Sequence, residues 1–438
     1  MKILLIQACA KSIKRNKANR KAAKMGVLPP AVILRVAAIT PKKHEITVID
    51  DTYQKIDYNK NFDIVGITAI TMTAPRAYEI ADEFRKNGIT VVLGGWHPSA
   101  LPKEAKKHAD SVVVAEAEET WPKLLNDFEN GNLKAFYYPE KPWDIKFIEP
   151  YNHKLGFRNI FTPSQFRVTR GCPVGCEFCA ITNQEFGRIH RKMPIQDAIK
   201  TLKSIPNKGL SSADPSMTIN VKYSKEFFKA IKPLKKVFSC FGNVNVLSRD
   251  EELLKLSKEA GCAAWSMGFE SVSQSSIDSV KKGSNKVEEY AKAVEKIHKH
   301  KMAVVGSFIF GLDGDKKDIF DATLNAAIET ELDAAHFYIL TPFPGTPLYD
   351  KMEKQDRIFS KDWEKYDLFH CVFEPKNMSA EELTEGAKYV AKKFHEKNLI
   401  KKRNFKSLKL GFFPFYSMYI FNKSSRDMYL DAFEYAFC

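Results

Sequence analysis

The sequence predicts an α/β protein: a doubly wound, Rossmann-like parallel sheet, then a partial (β/α)6 barrel, then a helical C-terminal region. Three observations lead there. Short β-branched runs alternate with amphipathic segments of helical period, the pattern of parallel sheets covered on both faces. The alternation breaks once, over Lys141 to Ser164, which is rich in Pro and aromatic residues and has no clean period. And 438 residues exceed the usual size of one domain. The expected divisions are 1–135, a linker at 136–164, a barrel at 165–350 and a helical region at 351–438.

Taken in order, Lys2 to Gln7, Glu45 to Asp50, Asp63 to Ile70, Thr90 to Gly95 and Ser111 to Ala115 read as strands, with a helix over Arg76 to Lys86. Ligands of such sheets sit beyond the carboxyl ends of the strands. Those ends carry Asp50-Asp51-Thr52, Thr71-Met72-Thr73, Gly94-Gly95-Trp96-His97-Pro98 and Glu116-Ala117-Glu118. After the linker, Gln165 to Thr169 reads as a strand and Met193 to Ser204 as a helix with Pro194 in its first turn. Met217 to Val221, Phe238 to Val246, Ala263 to Phe269, Ala303 to Phe310 and Ala335 to Leu340 complete the strands. Helices over Ser224 to Lys235, Asp250 to Ala260 and Lys317 to Glu329 separate them. About six β/α units result, too few for a closed eightfold barrel. Ser379 to Lys401 reads as a charged helix, and Asn404 to Asn422 as an aromatic-rich segment interrupted by Pro414.

The eight cysteines, apart from one central trio, are scattered singly, which argues against a disulfide framework and for a reducing compartment. A net charge of +15 points to anionic company: phosphate-bearing cofactors, nucleic acid or a membrane surface. The densest basic run, Lys11 to Lys24, reads as a solvated face. Neither a secretory signal nor an apolar run of about 18 residues occurs, so the expected location is the cytoplasm. No aromatic-and-basic RNA motif or helix-turn-helix spacing appears, and nucleic acid is not an expected partner.

Chemistry concentrates in Gly171-Cys172-Pro173-Val174-Gly175-Cys176-Glu177-Phe178-Cys179-Ala180. Three cysteines spaced C-x3-C-x2-C in a Gly- and Pro-rich loop suit one soft metal centre, either zinc or an iron–sulfur cluster. Three ligands on a four-iron cluster leave one iron open to a small molecule. A structural zinc site of Cys172, Cys176, Cys179 and His190 is the bland alternative.

This motif, with an aromatic residue before the third cysteine, resembles the signature of the radical S-adenosylmethionine (radical SAM) enzymes. The resemblance implies a [4Fe-4S] cluster on Cys172, Cys176 and Cys179, SAM chelated by the open iron, and a 5′-deoxyadenosyl radical that abstracts hydrogen from an unactivated carbon. It also implies an electron donor such as ferredoxin or flavodoxin. By the same comparison Phe178 packs near the SAM adenine, Glu270 reaches the SAM ribose, and the Gly306 to Leu312 segment, with Ser307 and Gly311, lies beside the adenine. Asp214 stands where relatives carry an acidic SAM or substrate contact, although Pro215 replaces a second acid there.

The N-terminal third resembles the cobalamin-binding domain that precedes many radical SAM modules. The carriers are Gly94-Gly95-x-His97-Pro98 and Glu116-x-Glu118-x-x-Trp121. Gly94, Gly95, His97 and Glu116 are the implied cofactor contacts, with His97 a turn residue at the nucleotide tail. The D-x-H-x-x-G loop that supplies a cobalt ligand elsewhere is missing. A domain that keeps the fold and only caps the site is the alternative. The Thr341 to Tyr349 turn and aromatic tail resemble hopanoid methylases and related enzymes. They imply a lipid-like, isoprenoid or hopanoid-type substrate and a peripheral membrane contact. The expected function is cobalamin-dependent C-methylation, with radical coupling, cyclisation or rearrangement as the alternative, and a non-catalytic zinc or nucleic-acid-binding protein as a third.

Overall fold

A computed structural model describes residues 1–10, 31–150 and 164–435. The basic run from Lys11 to Lys24 and much of the expected linker lie outside these. The first sheet has β1 (Lys2–Gln7), β2 (Glu45–Asp50), β3 (Ile64–Thr68), β4 (Thr90–Gly94), β5 (Ser111–Val113) and β6 (Phe136–Tyr137). They run parallel in the order β2-β1-β3-β4-β5-β6. β1, with Ile3 to Ile6 fully buried, is apolar on both faces because helices cover both sides. The order reverses between β1 and β3, and the crevice at such a switch point faces the carboxyl ends. Ala74–Lys86 covers one face, while Ala31–Ile39 and Ala117–Glu129 cover the other.

The second sheet is β7 (Ser164–Phe166), β10 (Gly209–Ser212), β11 (Val237–Phe241), β12 (Cys262–Glu270), β13 (Ala303–Phe310) and β14 (Ala334–Ile339). All neighbours are parallel and follow chain order, so the six strands form an open barrel with β7 and β14 at its edges. A separate antiparallel pair, β8 (Thr169–Arg170) and β9 (Arg191–Lys192), brackets the cysteine loop.

Three sequence readings are corrected. Met217 to Val221 is not a strand; Asn220 accepts from the Tyr223 N–H and caps the helix Val221–Ile231, while the strand lies upstream in Gly209–Ser212. That strand is mostly small and polar, so its pattern is faint in the sequence. Gln165 to Thr169 is broken, because the Asp214 carboxylate takes the N–H groups of Val168 and Thr169 that a continuous strand would present to a neighbour. The expected strand from Phe238 to Val246 ends at Phe241, with a helical turn over Val244–Leu247.

The C-terminal region is helical, in three main pieces: Ala380–Phe394, opened by a Ser379/Glu382 capping box, then Lys397–Ser407, then Phe412–Tyr435. Pro414 does not interrupt the last helix, because it lies in the first turn, where no N–H partner is lost. Met418 of this closing helix packs on Ala264, Ala303, Val305 and Ala334, small residues on the concave face of the barrel. Among the described residues no helix is long and apolar enough to cross a membrane.

Candidate active site

The cysteine loop is held by its backbone. Gly171 and Gly175 both have φ of +79°, and a Cβ at Gly171 would stand 2.1 Å from the Ile189 carbonyl oxygen. The Cys172 N–H donates to the Gly187 carbonyl at 2.8 Å, and Thr182 Oγ1 donates to the Cys172 carbonyl at 2.6 Å. Asn183 Nδ2 donates to the carbonyls of Cys176 and Cys179, each at 2.9 Å. With the carbonyls turned into this web, the thiols are the groups left to a ligand. Burial pushes the Cys176 thiol up to about 12 and also raises Cys179, so bound metal must displace their protons.

The donor set, three cysteines on one loop, suits a four-iron cluster that keeps one iron open. A cubane binds each thiolate through a different iron, so its cysteines stand apart. Zinc on Cys172, Cys176, Cys179 and His190 would need all four around one centre.

The loop is docked onto the carboxyl end of the barrel. The Glu177 N–H donates to the Val280 carbonyl, and the Leu348 N–H donates to the Glu177 carbonyl, both at 3.2 Å. Glu270 ends β12 at φ +64°, an unusual conformation for a residue with a side chain, where the register with β13 shifts. Its carboxylate pairs with Lys282, which also donates to the Gly268 carbonyl at 2.9 Å. The adjacent Lys281 pairs with Glu177 of the cysteine loop at 2.7 Å, and the Lys282 cation partly offsets the effect of burial on Cys176 and Cys179.

Ser307 lies on the concave face in register with Gly268 on one side and His336 on the other. Phe178 is half-buried against the barrel core. Gly311, at φ +94°, gives its N–H to Asp315 at 3.0 Å, and a Cβ there would stand 2.7 Å from Leu383. This glycine serves the turn after β13. Asp214 is fully enclosed: Oδ1 accepts from Val168, from the Thr169 N–H and from Thr169 Oγ1, and Oδ2 accepts from Ser212 at 2.5 Å. Burial raises its carboxyl. All its close partners are protein groups of the strand break rather than an open site.

Between the carboxyl ends of the first sheet and the cysteine loop lies a cavity of about 1390 Å³, bordered by Gly94, Gly95, Glu116, Arg170, Gly171 and Gln184 among others. That exceeds the roughly 1,000 Å³ of ordinary small-molecule pockets. Gly95 has φ of +102°, and a Cβ there would lie 2.6 Å from the Ala69 carbonyl oxygen. A Cβ at Gly66 would press on Leu5 at 2.9 Å and Trp121 at 3.1 Å.

Two residues expected at this cofactor also have firm protein partners. Glu116 accepts from Arg191 through both oxygens at 2.8 Å, from Arg170 at 3.1 Å and from the Trp143 N–H at 2.8 Å. Burial would raise its carboxyl, but the Arg191 hydrogen bonds and the Arg170 charge outweigh it and hold the group low. His97 is fully buried, with Nε2 3.1 Å from Glu104, which also accepts from Trp363 at 3.0 Å. Both are domain ties. Arg170, Arg191, Lys282 and Trp363 belong to no motif that marks them in the sequence. Only Arg170, adjacent to the cysteine motif, carried a usable signal. His336 and Tyr338 were also missed, although polar residues alternate there in an apolar strand. Burial pushes His336 down to about 4, and its ring lies 4.8 Å from Phe421 of the closing helix.

The radical SAM superfamily model matches residues 166–327, and the B12 binding domain model matches residues 28–125. The bacteriochlorophyllide d C-12(1)-methyltransferase of Chlorobaculum tepidum is 32% identical, over 85% of this chain and 84% of that one. The C-8(2)-methyltransferase of the same organism is 35% identical, over 77% and 79%. The chain belongs to the cobalamin-dependent radical SAM methyltransferases. Its cofactors are a [4Fe-4S] cluster, SAM and cobalamin. The fold agrees: the radical SAM methyltransferase TsrM from Kitasatospora setae, solved with cobalamin and cluster, superposes with a TM-score of 0.66 at 15% identity, over 81% of this chain and 78% of that one. The cobalamin-dependent enzyme OxsB gives 0.69 at 14% identity, over 93% and 71%.

Proposed function

We propose that this enzyme methylates an unactivated carbon of a large, flat, apolar ring of the tetrapyrrole class. The observation that carries the reading is the similarity to two bacteriochlorophyllide d methyltransferases across more than three-quarters of each chain. When bound, the cluster and SAM supply hydrogen abstraction, and methylcobalamin supplies the methyl group. Cys172, Cys176 and Cys179 hold the cluster, and Lys282 places a cation beside it. Glu270, Phe178 and Ser307 contact SAM, while Gly94 and Gly95 admit the cofactor tail. Gly311, Asp214 and His97 shape the site from behind, while Glu116 borders the cavity and ties the domains through Arg170 and Arg191. His336, Tyr338 and Phe421 give the concave face an aromatic lining suited to a flat ring. The isoprenoid or hopanoid-type lipid implied by the Thr341 to Tyr349 turn, the aromatic tail and the basic net charge has no counterpart among these relatives. Ferredoxin or flavodoxin is the electron donor in this reading, and the enzyme works from the cytoplasm at the inner face of a membrane.

Ring formation is the second reading. The anaerobic magnesium-protoporphyrin IX monomethyl ester cyclase of Cereibacter sphaeroides is 27% identical over 77% of this chain, which spans 60% of that protein. Anaerobic incubation with SAM, cobalamin, reductant and bacteriochlorophyllide d separates them. Methylation predicts a product heavier by one methyl group. A product lighter by hydrogens supports ring formation, and an unchanged pigment removes the tetrapyrrole reading.

A further inference from the structure

The turn joining the last two helices is built unlike the rest of the surface. Lys397–Ser407 leads through a short turn, Leu408–Leu410, and Gly411 into the closing helix at Phe412. Phe405 is 71% exposed, Phe412 69%, Phe413 54% and Leu408 48%. The rings are neighbours: Phe412 lies 5.5 Å from Phe413 and 6.0 Å from Tyr416. Four large apolar side chains within nine positions face water around one turn, exposed apolar surface of the kind that marks a docking site.

Its charge says what docks. From Lys397 to Arg426 the chain carries eight basic residues and no acidic one. Lys401, Lys402 and Lys409 are exposed around the aromatic turn. Aromatics to bury and lysines beside them match the interface of an anionic bilayer, with rings below the headgroups and ammonium groups among them.

The patch is also held rigidly to the barrel. Ser407 donates to Asp333 Oδ1 at 2.6 Å, and Asn422 Nδ2 donates to the Asp333 carbonyl at 3.0 Å, just before β14. The same helix sends Met418 and Phe421 into the concave face of the barrel. A rigid anchor gives up little ordering entropy on binding.

We infer that the turn carrying Phe405, Leu408, Phe412 and Phe413 is a docking surface for an anionic lipid bilayer, and that the helix flooring the barrel seats the enzyme on it. This deepens the reading of an apolar substrate taken from a membrane, but its test does not depend on which substrate is methylated. The full-length holoenzyme is sedimented with vesicles of phosphatidylglycerol and phosphatidylcholine, and with phosphatidylcholine alone. Binding is expected to the anionic vesicles and to weaken with added salt. Phe412→Ser/Phe413→Ser is expected to weaken it by at least about tenfold. Lys401→Glu/Lys402→Glu/Lys409→Glu should abolish the preference for anionic lipid. Unchanged cluster absorbance and SAM cleavage would show that the variants fold.

Wild-type protein that stays in the supernatant with anionic vesicles overturns the inference. So does a Phe412→Ser/Phe413→Ser protein that binds like wild type, or one that turns a dimer into a monomer, which would make the patch a self-interface. Vesicle binding without methylation of bacteriochlorophyllide d would remove the tetrapyrrole reading and leave the docking surface standing.

Discussion

Asp214 shows how a residue acquires its role from surroundings that the sequence hides. Its place after the second barrel strand resembles an acidic SAM contact, yet its oxygens hold the break between β7 and β8 that feeds the cysteine loop. Asp214→Ala leaves several buried donors without an acceptor and should cost about 3 kcal/mol, with loss of cluster retention after gel filtration. Asp214→Asn should cost less and leave the KM for SAM near wild type. A raised KM with unchanged stability would restore the SAM-contact role.

Asp315 gives a pH test at the same scale. Burial raises its carboxyl from 3.8 to about 6, against the opposing hydrogen bonds from Ser276, Leu312 and Gly311. The folded state therefore binds this proton more tightly than the unfolded chain does. The resulting stability is fully present below about pH 4 and is lost as pH rises through about 6, an effect of roughly 3 kcal/mol. Asp315→Asn should flatten that segment of the stability profile in denaturant titrations. A profile unchanged by the substitution would contradict the assignment.

At the scale of elements, strands with β-branched runs buried on both faces were legible, because such runs have few other uses. β10 was not, since Gly209–Ser212 carries one large apolar residue, and Met217 to Val221 offered a stronger local pattern that Asn220 diverts into a helix. The two ties between domains were illegible for a different reason: their partners are far apart in the chain. Arg170 binds Glu116 and Glu118, and with Arg35 it flanks the Trp143 ring at 5.3 and 5.1 Å. Because Arg170 precedes the cysteine motif, the clamp joins the cobalamin domain to the cluster loop. Arg170→Met leaves buried carboxylates short of a partner and should cost about 3 kcal/mol. The amount of 5′-deoxyadenosine released per methylated product should rise. An unchanged ratio would show that the clamp stabilises the domains without setting their catalytic alignment.

For the whole molecule, the sequence carried the cluster motif and both domain types, since each lies in a continuous stretch. The cavity between them was not legible, because it comes from two sheets turning their carboxyl ends toward one another. That arrangement would bring an open-iron cluster on the cysteine loop and a corrin in the cavity to the same space. The most direct test is anaerobic turnover of bacteriochlorophyllide d with SAM labelled by deuterium in its methyl group. Methyl transfer by way of cobalamin predicts a labelled methyl group on the product, with both 5′-deoxyadenosine and S-adenosylhomocysteine released. Release of 5′-deoxyadenosine alone, with pigment converted but carrying no label, would contradict it.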